Sequence, residues 1–369
     1  MEKVNIGIIG CGAISGIYLE NCVRVFDILN VAAVADVVPE AAQRRAAEFG
    51  VPKACSVEDL LADDAIDIVV NLTAPQAHAE VNLQILNAGK HVYTEKPFAL
   101  SREDADRVLS LAREKGLRVG SAPDTFLGGG LQTCRKLIDD GWIGEPYAAH
   151  GSIVMGHAWD GMHPNMRAVL RPGWDPLFDM APYYFTAMIH LLGPITEATG
   201  FATRMRERCT VTNPRAPGYG ETYPVEAYMN TAASLRFASG AIATMQAAKE
   251  SFGYSPRLEI YGTEGTLYAP DPNNFDGAIR ILFRSGETKE IPYTHGFADN
   301  RRGIGVADLA HAIRSGRPHR ASGELARHVL DVTIGILESA ETGRRATMGT
   351  FPMKPFPLPL GLKYNVLDD

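Results

Sequence analysis

The chain has 369 residues, 46% of them hydrophobic and 21% charged, which is a length for two domains and a balance that excludes a disordered tail, a fibre or a coiled coil. Basic residues number 36 against 43 acidic ones, a net charge of −7 with no Lys/Arg run, so no nucleic-acid partner is expected. No apolar run approaches the ~18 residues of a membrane span, and MEKVNIGIIGCG lacks the apolar region of a signal peptide, so no membrane is expected and the start reads as a cytoplasmic N-terminus.

In chain order, VNIGIIG at 4–10 reads as a buried strand, followed by a helical pattern over 13–29. A second strand at 31–36 leads to a helix over 39–49 opened by Pro39. Strands at 67–72, 91–95 and 117–122 alternate with helices at 76–88 and 102–115, the latter capped by Ser101 and ended by Gly116. Apolar strands alternating with helices of this length predict βαβ units and a parallel sheet covered on both faces. After 125 the texture changes. A helix at 127–140 precedes strand-like runs at 147–155, 195–205, 226–237, 241–248, 257–262, 265–269 and 278–283, with hairpin signals at Ser239-Gly240 and Glu264-Gly265. Helices are predicted near 177–192, 303–315 and 322–342. The proline-rich end, 351–362, reads as an arm packed on a neighbour or a loose tail. The expected architecture is thus an α/β domain over 1–124 and an α+β domain with a large, mainly antiparallel sheet over 125–369. The five cysteines are scattered and form no CxxC, so reduced thiols are expected.

Gly10-Cys11-Gly12-Ala13-Ile14-Ser15 lies between the first strand and the first helix. The first glycine permits the tight turn, the second leaves room for a pyrophosphate, and the helix N-terminus offers unpaired N–H groups and partial positive charge. Gly10, Gly12, Ala13 and Ile14 are therefore candidate dinucleotide contacts of a Rossmann domain, although Ser15 stands where a third Gly or Ala is usual. Asp36 ends the second strand, where a carboxylate accepts hydrogen bonds from the adenosine ribose and repels a 2′-phosphate; this favours NAD over NADP. Asp36 can also serve the start of the helix at Pro39. Ligands of open parallel sheets bind beyond the carboxyl ends of the strands. Three more segments fall there, bearing Thr73, Pro75 and His78; Glu95 and Lys96; and Asp124. All are candidate cofactor contacts.

GCGAIS, Asp36, T-x-P-x-x-H (Thr73, Pro75, His78) and E-K-P (Glu95, Lys96, Pro97), in this order, resemble the Gfo/Idh/MocA oxidoreductases, the glucose–fructose oxidoreductase and inositol dehydrogenase family. The resemblance implies an NAD(P)-dependent dehydrogenase acting on a secondary alcohol of a sugar, glycoside, inositol or related polyol, with Lys96 beside the nicotinamide and the reacting hydroxyl. It also implies a homo-oligomer, a dimer or tetramer. The family's Asp-x-x-x-His motif is matched by Asp179 and Tyr183, with tyrosine in place of histidine. Lys96, Asp179 and Tyr183 are accordingly the candidate catalytic residues and, with His163, the candidate substrate contacts.

Alcohol oxidation needs a group that takes a proton, and a lysine that titrates near 10.4 must be depressed or act electrostatically. Burial and a positive nicotinamide would lower it, Asp179 would raise it, and a nearby lysine is expected to bring the Tyr183 phenol below about 10 so that it relays the proton. His157, Asp160 and His163 have a spacing compatible with a metal site, but no metal is expected; a substrate-hydroxyl contact from His157 or His163 fits the chemistry better. Trp159 and Trp174 are core or sugar-stacking residues. Two other functions remain open at this stage: a glycoside-cleaving enzyme that recycles NAD in place, and a catalytically inactive nucleotide-sensing regulator.

Overall fold

The computed structural model describes residues 2–156 and 165–368. His157, Trp159, Asp160 and His163 lie outside the described residues. The first sheet contains β1 (Val4–Ile9), β2 (Leu29–Ala35), β3 (Ala54–Cys55), β4 (Ile68–Asn71), β5 (His91–Thr94) and β6 (Val119–Ser121), all parallel in the order β3-β2-β1-β4-β5-β6. The helices of this part are α1 (Ser15–Arg24), α2 (Pro39–Phe49), α3 (Val57–Leu61), α4 (His78–Asn87) and α5 (Arg102–Glu114). Successive strand side chains point to opposite faces. Ile6 and Ile8 of β1 pack with Tyr18 and Leu19 of α1, whereas Ile9 joins Leu60 of α3, Ile85 of α4 and Val108 of α5 on the other face. Both faces being covered explains why the strands are almost uniformly apolar. The strand order reverses direction at β1 and β4, and the crevice opens there. The short β3 and α3 were not expected from sequence; two strand residues and one helical turn carry too little periodicity to register.

The chain continues through α6 (Gly129–Asp139), β7 (Pro146–Gly156), α7 (Met166–Val169), α8 (Pro176–Asp179), α9 (Ala181–Leu192), β8 (Ile195–Thr203), β9 (Arg208–Thr210) and β10 (Thr222–Pro224). Then come β11 (Asn230–Phe237), β12 (Ile242–Ser251), β13 (Ser255–Gly262), β14 (Gly265–Ala269), β15 (Arg280–Phe283), β16 (Thr288–Glu290), α10 (Ile304–Ser315), α11 (Gly323–Thr342) and β17 (Ala346–Thr347). Nine of these strands form one sheet in the order β16-β15-β14-β13-β7-β12-β11-β8-β17. Its pairs are antiparallel except β7 with β12, which run parallel. The alternation of β11, buried at Thr231, Ala233 and Leu235 and exposed between, shows one face packed and one open.

The single helix expected over 177–192 is two. Asp175 caps α8 by accepting from the amides of Leu177 and Phe178, Pro176 opens it, and a second proline, Pro182, opens α9 after the break at Met180. Every residue of α9 is buried. The two parts are tied together by α11, whose Arg327 and Asp331 pair with Asp106 and Arg102 of α5. The proline-rich end lies along its own chain: the Leu358 amide donates to Gln132 Oε1 at 2.7 Å and the Pro357 carbonyl accepts from Arg320 Nε at 3.3 Å. No helix among the described residues is long and apolar enough to cross a membrane.

Candidate active site

The glycine turn closes the end of β1. Gly10 has φ of 100°, and a Cβ there would lie 2.6 Å from the Leu72 carbonyl carbon, so any other residue is excluded by both backbone conformation and the neighbouring strand. A Cβ on Gly12 would meet nothing within 4 Å. The turn therefore faces open space while α1 begins without a side-chain cap; apart from the Ser15 amide, which donates to the Gly12 carbonyl at 3.3 Å, its first amides are available to an anion. Ser15, the departure from the usual third glycine, is buried, and its hydroxyl donates to the Gly12 carbonyl at 2.7 Å. Arg45 of α2 braces the same turn, donating to Ser15 Oγ at 3.1 Å and to the Gly12 carbonyl at 3.1 Å. Sequence reasoning did not find Arg45.

Asp36 lies at the mouth of a crevice of about 840 Å³ that runs from the end of β2 to Thr73. Its Oδ2 accepts from the Cys11 amide at 2.6 Å and its Oδ1 from the Val38 amide at 2.8 Å. One carboxylate thus fixes the glycine turn and the entry to α2. No arginine or lysine among the described residues lines this crevice to compensate a 2′-phosphate. Asp36→Asn keeps an acceptor and removes the charge. It is expected to narrow the preference for NADH over NADPH by about tenfold, ~1.4 kcal/mol, as read by fluorescence titration of both coenzymes; an unchanged ratio removes Asp36 from coenzyme selection.

Thr73 belongs to the walls of this crevice and of a second cleft of about 390 Å³. The second cleft brings together Ile14, Pro75, Glu95, Lys96, Asp179 and Tyr183 from the expected set. Glu95 Oε1 accepts from Tyr18 of α1 at 2.7 Å and its Oε2 from the Lys96 amide at 2.9 Å, holding the loop after β5 against the first helix. Lys96 Nζ donates to Asp179 Oδ1 at 2.6 Å and to the Asp179 carbonyl at 2.7 Å, the latter free because the helix breaks after Asp179. Asp179 is therefore no cap of α9. Its other oxygen, Oδ2, pairs at 2.7 Å with Lys249 of β12, whose ammonium also donates to the Trp174 carbonyl at 2.5 Å. Trp174 itself is in the cleft wall. Lys249 is the member of the site that sequence reasoning missed.

Two electrostatic expectations change. Burial pulls the Lys96 ammonium toward a lower value, but the Asp179 carboxylate outweighs it and holds the amine above its ordinary range. Burial pushes the Tyr183 phenol up, and the Lys96 cation, 5.5 Å from its ring centroid, does not reverse this; the expected depressed phenol is replaced by one that stays protonated. Asp179 is pushed up by burial and brought far below the usual carboxylate range by Lys96 and Lys249 together.

Two expected cofactor contacts occupy other positions. His78 is buried outside both cleft walls, its Nδ1 2.7 Å from the Pro97 carbonyl and its Nε2 3.0 Å from the Thr73 carbonyl. It stitches the loop after β4 to the loop after β5. Asp124 is buried too, and its Oδ2 accepts from the amides of Gly303 and Gly305 at 2.9 and 3.0 Å, capping α10. Burial pushes its carboxyl up to about 6. Both residues flank the crevice in sequence but turn inward to satisfy buried backbone groups. No group of three or more His, Cys, Asp or Glu among the described residues is placed to hold a metal.

A doubly wound sheet with an open glycine turn, a carboxylate at the end of β2 and a lysine-lined cleft at the switch point defines an NAD-binding oxidoreductase. Residues 4–122 match the model of the oxidoreductase family with an NAD-binding Rossmann fold, and residues 131–268 match the GFO/IDH/MocA C-terminal domain. The chain belongs to the Gfo/Idh/MocA oxidoreductase family. It is similar to myo-inositol 2-dehydrogenase of Thermotoga maritima, 23% identical over 349 residues that cover 92% of this chain and 97% of the relative. It is also similar to 1,5-anhydro-D-fructose reductase of Ensifer adhaerens, 26% identical over 328 residues, 86% of this chain and 91% of that one. Levoglucosan dehydrogenase, solved in complex with NADH and L-sorbose, shares the fold with a TM-score of 0.82 at 21% identity, covering 94% of this chain and 99% of the other.

Proposed function

We propose that the protein is an NAD(H)-dependent dehydrogenase that transfers a hydride between the nicotinamide and a secondary alcohol of a sugar, glycoside or inositol, with Lys96 handling the proton. The observation that carries this reading is the Lys96 ammonium, fixed by Asp179 at the point where the loop after β5 meets the helix break of the second part. The coenzyme, when bound, supplies the hydride acceptor or donor. Gly10, Gly12, Ala13 and Ile14 form its turn, Asp36 serves the ribose, and Thr73, Pro75 and Glu95 wall the passage to the reacting centre.

Lys96 has one oxygen of Asp179 and one backbone carbonyl as partners, so the third ammonium hydrogen is available to a substrate oxygen. In reduction it donates that proton to the developing alkoxide; in oxidation it takes the proton back. Tyr183, protonated and beside Lys96, orients the hydroxyl and passes the proton between cleft and amine. The homo-oligomer contact falls in this reading on the open face of the nine-stranded sheet.

The test is NAD reduction by the purified protein against a panel of inositols, hexoses and glycosides. Substrate-dependent NADH formation supports the proposal. Turnover of a glycoside without added coenzyme by protein that retains NAD would replace it with the recycling reaction, and tight NADH binding with no turnover would replace it with a regulator.

A further inference from the structure

Arg302 is a cation in the cleft wall that forms no direct ion pair with a carboxylate of a described residue. Its Nη1 donates to Asn300 Oδ1 at 2.8 Å, and its Nη2 donates to the Asn273 carbonyl at 3.0 Å and to Asn273 Oδ1 at 2.8 Å. These partners are neutral amides. No carboxylate of a described residue forms an ion pair with Arg302, whereas the adjacent Arg301 pairs with Asp299 at 2.8 Å. The guanidinium is thus held in place by neutral groups, the Tyr183 hydroxyl among them, with the Asp124 carboxylate acting on it only through space. A half-buried charge in that state is costly unless an anion joins it, and a guanidinium N–H not spent on the asparagines can donate a charge-assisted hydrogen bond to a carboxylate oxygen.

Its position is set from the coenzyme side. Asn21 of α1 donates through Nδ2 to the carbonyls of Asn300 and Arg302, at 3.0 and 2.9 Å. The arginine therefore keeps a fixed relation to the helix that opens at the glycine turn. Across the cleft it stands against the same phenol as the proposed proton-transfer residue: Arg302 Cζ is 6.0 Å and Lys96 Nζ 5.5 Å from the Tyr183 ring centroid. Both cations therefore lie against one aromatic ring in the wall of the same cleft, where a single ligand can meet the two with different groups.

The carboxylates near the cleft are already engaged. Asp179 is shared by Lys96 and Lys249, Glu95 is held by Tyr18 and the Lys96 amide, and Asp124 acts on Arg302 only through space while its own oxygen accepts from the amides of Gly303 and Gly305. A carboxylate on the ligand would give Arg302 the direct partner it lacks.

Resting on the dehydrogenase reading above, we infer that the substrate is a sugar acid, a polyol with one carboxylate, whose carboxylate docks on Arg302 while a secondary hydroxyl meets Lys96. The chemistry is the balanced transfer already described: the alcohol carbon loses a hydride to NAD and its oxygen loses a proton to Lys96, while the carboxylate is unchanged. The reaction class that supplies such a substrate is oxidation of an aldehyde or terminal alcohol to an acid, and the class that consumes the product acts on a keto acid.

The experiment is NAD reduction by the full chain with hexuronates and hexonates beside their neutral parent sugars and 6-phosphates, repeated with Arg302→Gln. The expected result is a kcat/KM at least tenfold higher for an acid than for its neutral parent, with that ratio falling about tenfold or more in the variant, chiefly through KM. Turnover confined to neutral sugars, a preference for phosphates, or an acid-to-neutral ratio unchanged by Arg302→Gln overturns the inference and leaves the dehydrogenase reading standing. Tight NADH binding with no turnover of any member overturns both. The comparison of acids with parents uses the unaltered protein, so it decides the question even if the variant does not fold.

Discussion

Lys96→Ala is expected to lower kcat by about 10²–10⁴, the contribution of a positioned proton-transfer group, while NADH affinity changes little because the glycine turn and Asp36 are untouched. The pH dependence has a definite sign. Asp179 outweighs burial and keeps the amine of the free protein charged at neutral pH. In the oxidation direction the acting form is the uncharged amine, so the rate rises with pH, up to tenfold per pH unit below the Lys96 pKa. In the reduction direction the acting form is the ammonium, so the rate is level and then falls as pH passes that pKa. Lys96→Ala removes both profiles. Initial rates followed by NADH absorbance from neutral to alkaline pH make the check; near-native turnover in the variant takes Lys96 out of the chemistry.

Asp179 carries the second large effect. Its carboxylate pairs with Lys96 at 2.6 Å and with Lys249 at 2.7 Å, and the two lysine side chains are 15% and 8% exposed. Asp179→Asn leaves two buried ammonium groups without a counter-charge, which costs about 3 kcal/mol of stability by comparison with other broken buried pairs. It is also expected to shift the oxidation profile toward acid, since Lys96 then loses the carboxylate that holds its proton. Lys249→Met gives the opposite sign. With one cation removed, Asp179 serves Lys96 alone and the profile moves toward alkali. Lys249 in this account is a positioning residue, and the direction of its shift separates that role from mere packing. Thermal unfolding of both variants and their pH–rate profiles test the pair; shifts of the same sign in both variants would sink the shared-carboxylate account.

The parts of this site that could be read from sequence are those whose neighbours in space are neighbours in the chain. The turn from Gly10 to Ser15 and the run Glu95–Pro97 each sit at one strand end, so their residue types and their place in a βαβ pattern are visible together. Lys249 and Arg302 come from elements that only tertiary packing brings to the cleft. A signal for Lys249 did exist. Inward positions of β12 fall at Ala243, Met245 and Ala247, and Lys249 continues that series, so the alternation itself puts a charge on the packed face. Arg302 gave no such sign beyond its pairing with Arg301. The break at Met180 was legible in principle, because Pro176 and Pro182 each mark a helix start and two starts cannot share one helix. His78 and Asp124, expected among the cofactor contacts, are engaged with backbone groups. A polar side chain beside a ligand crevice serves the ligand or the backbone that shapes the crevice, and sequence does not distinguish the two.

One side-chain amide ties the coenzyme end of the cleft to its far wall. Asn21 hangs two carbonyls of the segment before α10 from the helix that begins at the dinucleotide turn. The backbone that carries the Arg302 side chain is thereby anchored to the helix that opens at the glycine turn, so the two ligand sites share one support. Coupling between the sites is the expected outcome, read as a difference in the affinity of an unreactive alcohol analogue for the protein with and without dinucleotide; equal affinities would remove it.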